Sequence, residues 1–95
     1  MSFDVIIYCH GTQKTGLGHF SRCFNLALAS QKLSASLAFY GQFDVFARSR
    51  LEQSGFACLS QLPLCSHPII VCDDYHFTHV ELKELHDAGA KLVII

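Results

Sequence analysis

The chain lacks the features that mark several large classes of protein. It has no tryptophan, only two prolines, and 16% charged residues. Seven Lys and Arg residues face eight Asp and Glu residues, so the formal net charge is −1 and there is no surplus of positive charge to neutralise nucleic-acid phosphates. The longest apolar runs, such as residues 92–95, are far shorter than the ~20 residues of a membrane helix. These features argue against a nucleic-acid partner and a membrane span.

The composition favours a small folded domain. Hydrophobic residues make up 51% of the 95, whereas disordered segments need low hydrophobicity and high net charge. This length allows one domain, residues 1–95, and excludes an assembled multi-domain enzyme. The N-terminal residues show no basic segment followed by an apolar one, as a secretory signal would. We therefore expect a cytoplasmic protein.

The cysteines follow neither a disulfide nor a zinc pattern. Their number is odd and no pair has the spacing C-x-x-C; they are Cys9, Cys23, Cys58, Cys65 and Cys72. Most lie within apolar runs, where a free thiol behaves as a small hydrophobic side chain. We expect free thiols, no bound metal and no cofactor.

Apolar segments of two periodicities alternate along the chain. Strand-like runs cover residues 3–9, 36–40, 56–59, 69–72 and 91–95. Apolar residues at helical spacing predict three helices. The first runs from His19 to about Leu33, and the second from Phe43 to Leu51, with Gly55 as its end signal. The third begins at the capping-box pattern of Thr78 and ends at Gly89. The aromatic core is predicted to contain Phe20, Phe24, Phe43, Phe46 and Phe56, and the apolar face of the last helix Val80, Leu82, Leu85 and Ala88.

The order β-α-β-α-β-β-α-β predicts an α/β fold. Strands that are apolar on both faces favour a parallel sheet covered by helices, which is a Rossmann-like three-layer open sheet. A loop over residues 60–67 replaces one crossover helix and is the irregularity in this pattern. Since an apolar strand that stops at Ile95 would leave an exposed edge, we expect the chain to be a piece of a longer protein.

A glycine-rich loop follows the first strand, where open α/β sheets bind ligands. It contains Gly11, Gly16 and Gly18, and the helix after it offers free N–H groups to an anion. The loop is not a Walker A motif, because Leu17 follows the second glycine. It also departs from the dinucleotide fingerprint, because Ser21 stands at the last glycine position.

Three segments resemble one family of enzymes. The run Gly16-Leu17-Gly18-His19-Phe20-Ser21-Arg22-Cys23 is similar to the Gly-x-Gly-His-x-x-Arg-Cys signature of PseG-type UDP-sugar hydrolases of pseudaminic acid biosynthesis, which are relatives of the MurG-like GT-B glycosyltransferases. The runs 70–75, an apolar strand that ends in Asp-x-Tyr, and 88–95 resemble later family segments. The match covers nearly the whole chain, as the N-terminal half of such an enzyme.

The resemblance implies a reaction and roles for named residues. Water would attack the anomeric carbon of a UDP-linked 2,4-diacetamido-2,4,6-trideoxyhexose, with His19 as general base. The helix dipole disfavours the charged ring, so we expect a neutral imidazole that accepts a proton. Tyr75 would contact the sugar or the water, Asp73 would orient a neighbouring group, and the substrate would lie against Gly16, Leu17, Gly18 and Arg22.

The resemblance also implies a partner domain. In GT-B relatives the nucleotide is held mainly by the C-terminal half, so we expect this chain by itself to bind a UDP-sugar weakly and to turn over nothing measurable. Two alternatives stay open: the acceptor domain of a GT-B glycosyltransferase, and an inactive remnant or interaction module. In the last case His19 would only cap or pack, and Arg22 would form a structural salt bridge.

Overall fold

The computed structural model describes residues 3–14, 17–33, 36–63, 68–73 and 77–95. Its elements follow the predicted order: β1 (Val5–Tyr8), α1 (Leu17–Gln31), β2 (Leu37–Tyr40), α2 (Val45–Gln53), β3 (Ala57–Leu59), β4 (Ile69–Cys72), α3 (His79–Asp87) and β5 (Lys91–Ile94). No helix within these ranges is both long and apolar enough to cross a bilayer.

All five strands belong to one parallel sheet in the order β3-β2-β1-β4-β5. Val5 pairs with Leu37 on one side and with Ile69 on the other, so β1 is the central strand. The chain adds β2 and β3 on one side of β1, then returns to add β4 and β5 on the opposite side. The strand order therefore reverses between β1 and β4, which is where sheets of this type bind ligands.

Helices cover the two faces of the sheet unequally. Parallel crossovers are right-handed, so α1 and α2 lie on one face, and α3, which leads in the opposite direction along the sheet, lies on the other. Neighbouring strand residues point to opposite faces. Ile7 accordingly packs in the cluster with α1 and α2, and Ile6 packs in the cluster that Leu82 and Leu85 of α3 join. The predicted Rossmann-like α/β fold is confirmed.

The sequence signals at the helix ends are also confirmed, except that one helix begins earlier than predicted. Thr78 forms the predicted capping box, in which the Glu81 N–H donates to Thr78 Oγ1 at 3.3 Å. Gly55 follows α2 with a φ of +80°, a left-handed conformation that glycine adopts without steric cost. Helix α1 begins at Leu17 rather than at His19, so Gly18 lies in its first turn. The helix accommodates this glycine because its apolar face is anchored on the sheet.

The predicted core is right for most of the aromatic residues and wrong for Phe46. The side chain of Phe46 is 56% exposed, and the Arg50 guanidinium lies 5.9 Å from its ring centre. Helix α2 buries Ala47 and Leu51, which lie one turn apart. Phe46 precedes Ala47 and therefore points about 100° away from that face.

Val80 is likewise wrong as a core residue, because it is 66% exposed, and Ala88, which follows α3 as its C-cap, is exposed as well. Helix α3 packs through Leu82 and Leu85, which are three residues apart and share one face. Val80 lies two positions before Leu82, so it points to the opposite side of the helix.

Candidate functional site

The candidate site lies at the carboxyl ends of β1 and β4, where the strand order reverses. Asp73 directly follows β4, and its N–H donates to the carbonyl oxygen of Tyr8 at 3.4 Å. His19 stands in the first turn of α1, the helix that leaves β1. The two side chains therefore approach the same edge of the sheet from neighbouring strands.

His19 and Asp73 form a close pair. His19 Nδ1 lies 3.1 Å from Asp73 Oδ2. The side chain of Asp73 is 1% exposed, whereas that of His19 is 31% exposed. The ring stays at the rim because the next residue, Phe20, occupies the buried face of α1. The carboxyl group is therefore held inside the protein and the imidazole faces outwards.

This arrangement gives the two ring nitrogens different roles. A carboxylate accepts hydrogen bonds, so the carboxyl group beside Nδ1 favours the tautomer that carries its hydrogen on that atom. The lone pair of the neutral ring is then on Nε2. A histidine oriented in this way by a carboxylate can remove a proton from water or from a hydroxyl group. The 3.1 Å separation therefore places the Asp73 carboxyl group within reach of the imidazole, as a positioning residue for a general base requires.

Arg22 approaches the same carboxyl group from the next turn of α1. Its Nη2 lies 4.0 Å from Asp73 Oδ1, and its side chain is 56% exposed. His19 and Arg22 are three residues apart on a helix, so they share one face. A buried carboxylate needs such polar partners to offset its desolvation. The structural ion pair expected as an alternative for Arg22 is thus present at the limit of ion-pair distance.

The other predicted site residues divide into two groups. Leu17 is the first residue of α1 and is half-buried, and Gly18 beside it is exposed. A Cβ atom added to Gly18 would meet no atom within 4 Å, so a ligand can approach the backbone there. Gly16 and Tyr75 lie outside the described residues.

Two cysteines behind the pair were predicted only as buried thiols. Cys9 follows β1, and Cys23 lies one turn after His19 on α1. The hydrogen bond with Cys23, followed by burial, raises the pKa of the Cys9 thiol, and the charge of Asp73 acts in the same direction. The same hydrogen bond lowers the pKa of the Cys23 thiol, so Cys9 holds its proton more strongly than Cys23 does. In the sequence, the spacing of four residues between His19 and Cys23 is the signal that Cys23 lies beside His19 in the site.

Cys72, the last residue of β4, predicts a loss of stability in alkaline solution. Burial raises its pKa from 9.0 to about 11. Above pH 9 the unfolded chain loses this proton first, so the free energy of unfolding falls as the pH rises towards 11. For this thiol alone, the free energy of unfolding falls by about 2 kcal/mol by the time the pH reaches 11. Urea denaturation of the wild type and of Cys72→Ala at pH 8, 9 and 10 measures it.

The contribution of Cys72 is isolated by comparing how steeply the free energy of unfolding falls with pH in the two proteins. Burial also raises the pKa of Tyr8, so both proteins lose stability with rising pH. Only the wild type carries the Cys72 contribution. The variant, measured relative to its own value at pH 8, is expected to show the shallower decline. Equal slopes would contradict the prediction.

The described site thus unites a buried carboxyl group, a half-exposed imidazole and an exposed guanidinium at one edge of the sheet. The glycine at the start of α1 leaves its backbone accessible beside them. Compared with protein-family models, with curated proteins and with solved structures, the chain matches none of them.

Proposed function

We propose that the chain is the N-terminal half of a GT-B-type enzyme that hydrolyses a UDP-sugar, with His19 as the general base. The observation that carries the proposal is the 3.1 Å contact between His19 Nδ1 and the buried Asp73 Oδ2. It lies at the strand-order reversal, where ligands of open α/β sheets bind. The resemblance of residues 16–23 to the hydrolase signature supports the same assignment.

The proposed reaction moves one proton and exchanges one bond. Water attacks the anomeric carbon while His19 Nε2 removes its proton, so a C–O bond to the water oxygen forms. The bond from the anomeric carbon to the diphosphate oxygen breaks, and its electron pair leaves with UDP. Asp73 stabilises the imidazolium that forms, which then releases its proton to solvent.

The substrate proposed is a UDP-linked 2,4-diacetamido-2,4,6-trideoxyhexose. The first turn of α1 presents backbone N–H groups with a partial positive charge, and Arg22 adds an exposed guanidinium one turn later. Both suit the negative diphosphate. In this proposal Tyr75 contacts the sugar or the attacking water, and Gly16 to Gly18 lie along the phosphates.

The nucleotide is assigned to a second domain that closes over this edge of the sheet. Hydrolysis then needs both halves, and the 95-residue chain alone binds UDP-sugars weakly and shows no turnover.

The deciding experiment measures UDP release from a panel of UDP-sugars by the protein that joins this chain to its second domain. We expect UDP and free sugar in equal amounts with water as the only acceptor. UDP release that depends on an added acceptor would assign the protein to the glycosyltransferases instead. The absence of nucleotide-sugar binding would contradict both enzymes and leave the non-enzymatic alternative.

A further inference from the structure

On the face of the sheet that carries α3, no helix among the described residues covers β1 and β2. The connection from β3 to β4 passes both of these strands and is only nine residues long, 60–68. Its described residues, 60–63 and 68, are not helical. A crossover helix normally covers such a face. Tyr8, Tyr40 and Leu62 instead lie there half-buried.

Two adjoining clefts are lined by the tyrosines of this face, and together we name them the tyrosine groove. Tyr8 and Tyr40 are paired residues at the carboxyl ends of β1 and β2, and their ring centres are 4.8 Å apart at an interplanar angle of 78°. Both tyrosines line a cleft of about 290 Å³ beside α3 and another of about 270 Å³ on the side of α2. The two rings therefore form a continuous aromatic wall between the clefts.

The ends of the tyrosine groove carry opposite charges. Arg48 lines the cleft near α2, and Glu81 and Glu84 line the cleft near α3. Within the described ranges no carboxylate lies at ion-pair distance from Arg48. Burial, then the charges of Tyr40 and Glu81, raise the pKa of Tyr8, so its hydroxyl stays protonated at neutral pH. An anion is therefore attracted to the Arg48 end and repelled from the other.

His10 lines the cleft that contains Arg48. The N–H of Gln42 donates to His10 Nδ1 at 3.0 Å, which requires that this nitrogen carry no hydrogen. The hydrogen of the neutral ring is therefore on Nε2. The centre of the His10 ring lies 5.9 Å from that of Tyr8 and 5.6 Å from that of Phe77. The hydrogen bond and the ring contacts thus fix both the tautomer and the orientation of this side chain.

We propose that the tyrosine groove binds a small organic anion, a carboxylate or a phosphate monoester on a flat ring. The anionic group is held by the Arg48 guanidinium, and the ring packs on Tyr8 and Tyr40. Arginine binds such groups through two parallel hydrogen bonds, and aromatic pairs add packing energy beyond the area they bury. None of these residues belongs to the His19–Asp73 pair, so the inference stands apart from the proposed hydrolysis.

The test is an NMR titration of the ¹⁵N-labelled chain with benzoate and with phenyl phosphate. Benzamide, which has the shape of benzoate without its charge, is the control. For ligands of this size we expect dissociation constants on the order of 1–10 mM. Amide shifts should be concentrated at Tyr8, His10 and Tyr40. The tighter of the two anions identifies the preferred group, and the absence of saturable binding of both would overturn the proposal.

Two matched arginine variants distinguish a specific binding site from a general attraction of the anion to positive charge. Arg48→Gln is expected to weaken benzoate binding about tenfold, because it removes a charge-assisted contact, and to leave benzamide unchanged. Arg50→Gln removes the same charge from the same helix, but its guanidinium lies 4.9 Å from the Phe24 ring centre, outside the groove. It should change the affinity less than twofold. Equal losses, or shifts centred on His19, would refute the proposal.

Discussion

If the proposed two-domain hydrolase is right, replacing His19 by alanine is expected to slow its UDP-sugar hydrolysis by about 10²- to 10⁴-fold. The substitution removes the proposed base but leaves the backbone of α1 and the proposed diphosphate contacts in place. The loss should therefore fall on kcat rather than on KM. Initial rates of UDP release against substrate concentration measure both quantities.

A positioning variant and a matched histidine control sharpen this test. Asp73→Asn keeps the size of the side chain, but its amide can donate to His19 Nδ1 and so stabilise the tautomer with its hydrogen on Nε2. We expect this substitution to lower kcat about 10²-fold or more. The double variant of His19 and Asp73 should show little further loss of kcat, because the two residues act as a unit. His86→Ala, at the exposed end of α3, should retain full activity.

Two results would contradict the assignment of His19. A rate that His19→Ala leaves unchanged would show that another group removes the proton. An increase of KM alone would make the imidazole a binding residue. Thermal unfolding of each variant distinguishes these results from loss of structure, since the buried Asp73 loses a polar partner in His19→Ala.

Replacing Gly41 by alanine is expected to lower the free energy of unfolding by about 3 kcal/mol or more. Gly41 directly follows β2 with a φ of +150°, and a Cβ atom there would lie 1.8 Å from the carbonyl oxygen of Cys9. Neither backbone segment can withdraw easily, because the Cys9 N–H donates to the Tyr40 oxygen and the Gly11 N–H donates to the Gln42 oxygen. Urea denaturation followed by circular dichroism measures the loss.

Two other glycines calibrate this prediction. Gly55 has a φ of +80°, but a Cβ atom added there would meet no atom within 4 Å, so Gly55→Ala carries only a conformational cost of about 1 kcal/mol. Gly18 lies in a helix with the same open space, so Gly18→Ala should be neutral or stabilising by up to about 1 kcal/mol. If Gly41→Ala costs no more than Gly55→Ala, the close approach to Cys9 is not a constraint on the fold.

The helix ends and strand positions could be predicted because their signals are local. Thr78 caps the helix that begins at the next residue, through a side chain and a backbone that are close in the chain. Gly55 ends a helix because of its own backbone freedom. The buried strands are recognised from runs of apolar residues, which only a covered sheet can accommodate.

Which face of a helix is buried depends on packing, and the sequence was a weaker guide there. Phe46 is more hydrophobic than Ala47, yet the small residue is buried because α2 lies close to the loop after β1. A Cβ atom on Gly11 of that loop would come within 2.9 Å of the Ala47 Cβ. A phenylalanine has no room at such a contact, so the aromatic ring lies in solvent.

The order of residues was enough to predict the alternation of strands and helices, the glycine loop and the residue types of the candidate site. The family resemblance implied that Asp73 orients a neighbouring group, and this role stays a prediction. The folded chain was needed to show that His19 lies beside Asp73, and that Tyr8 and Tyr40 lie on one face of the sheet. Local signals act between residues that are close in the chain, whereas these contacts depend on strand order and register, which the packing of the whole sheet sets.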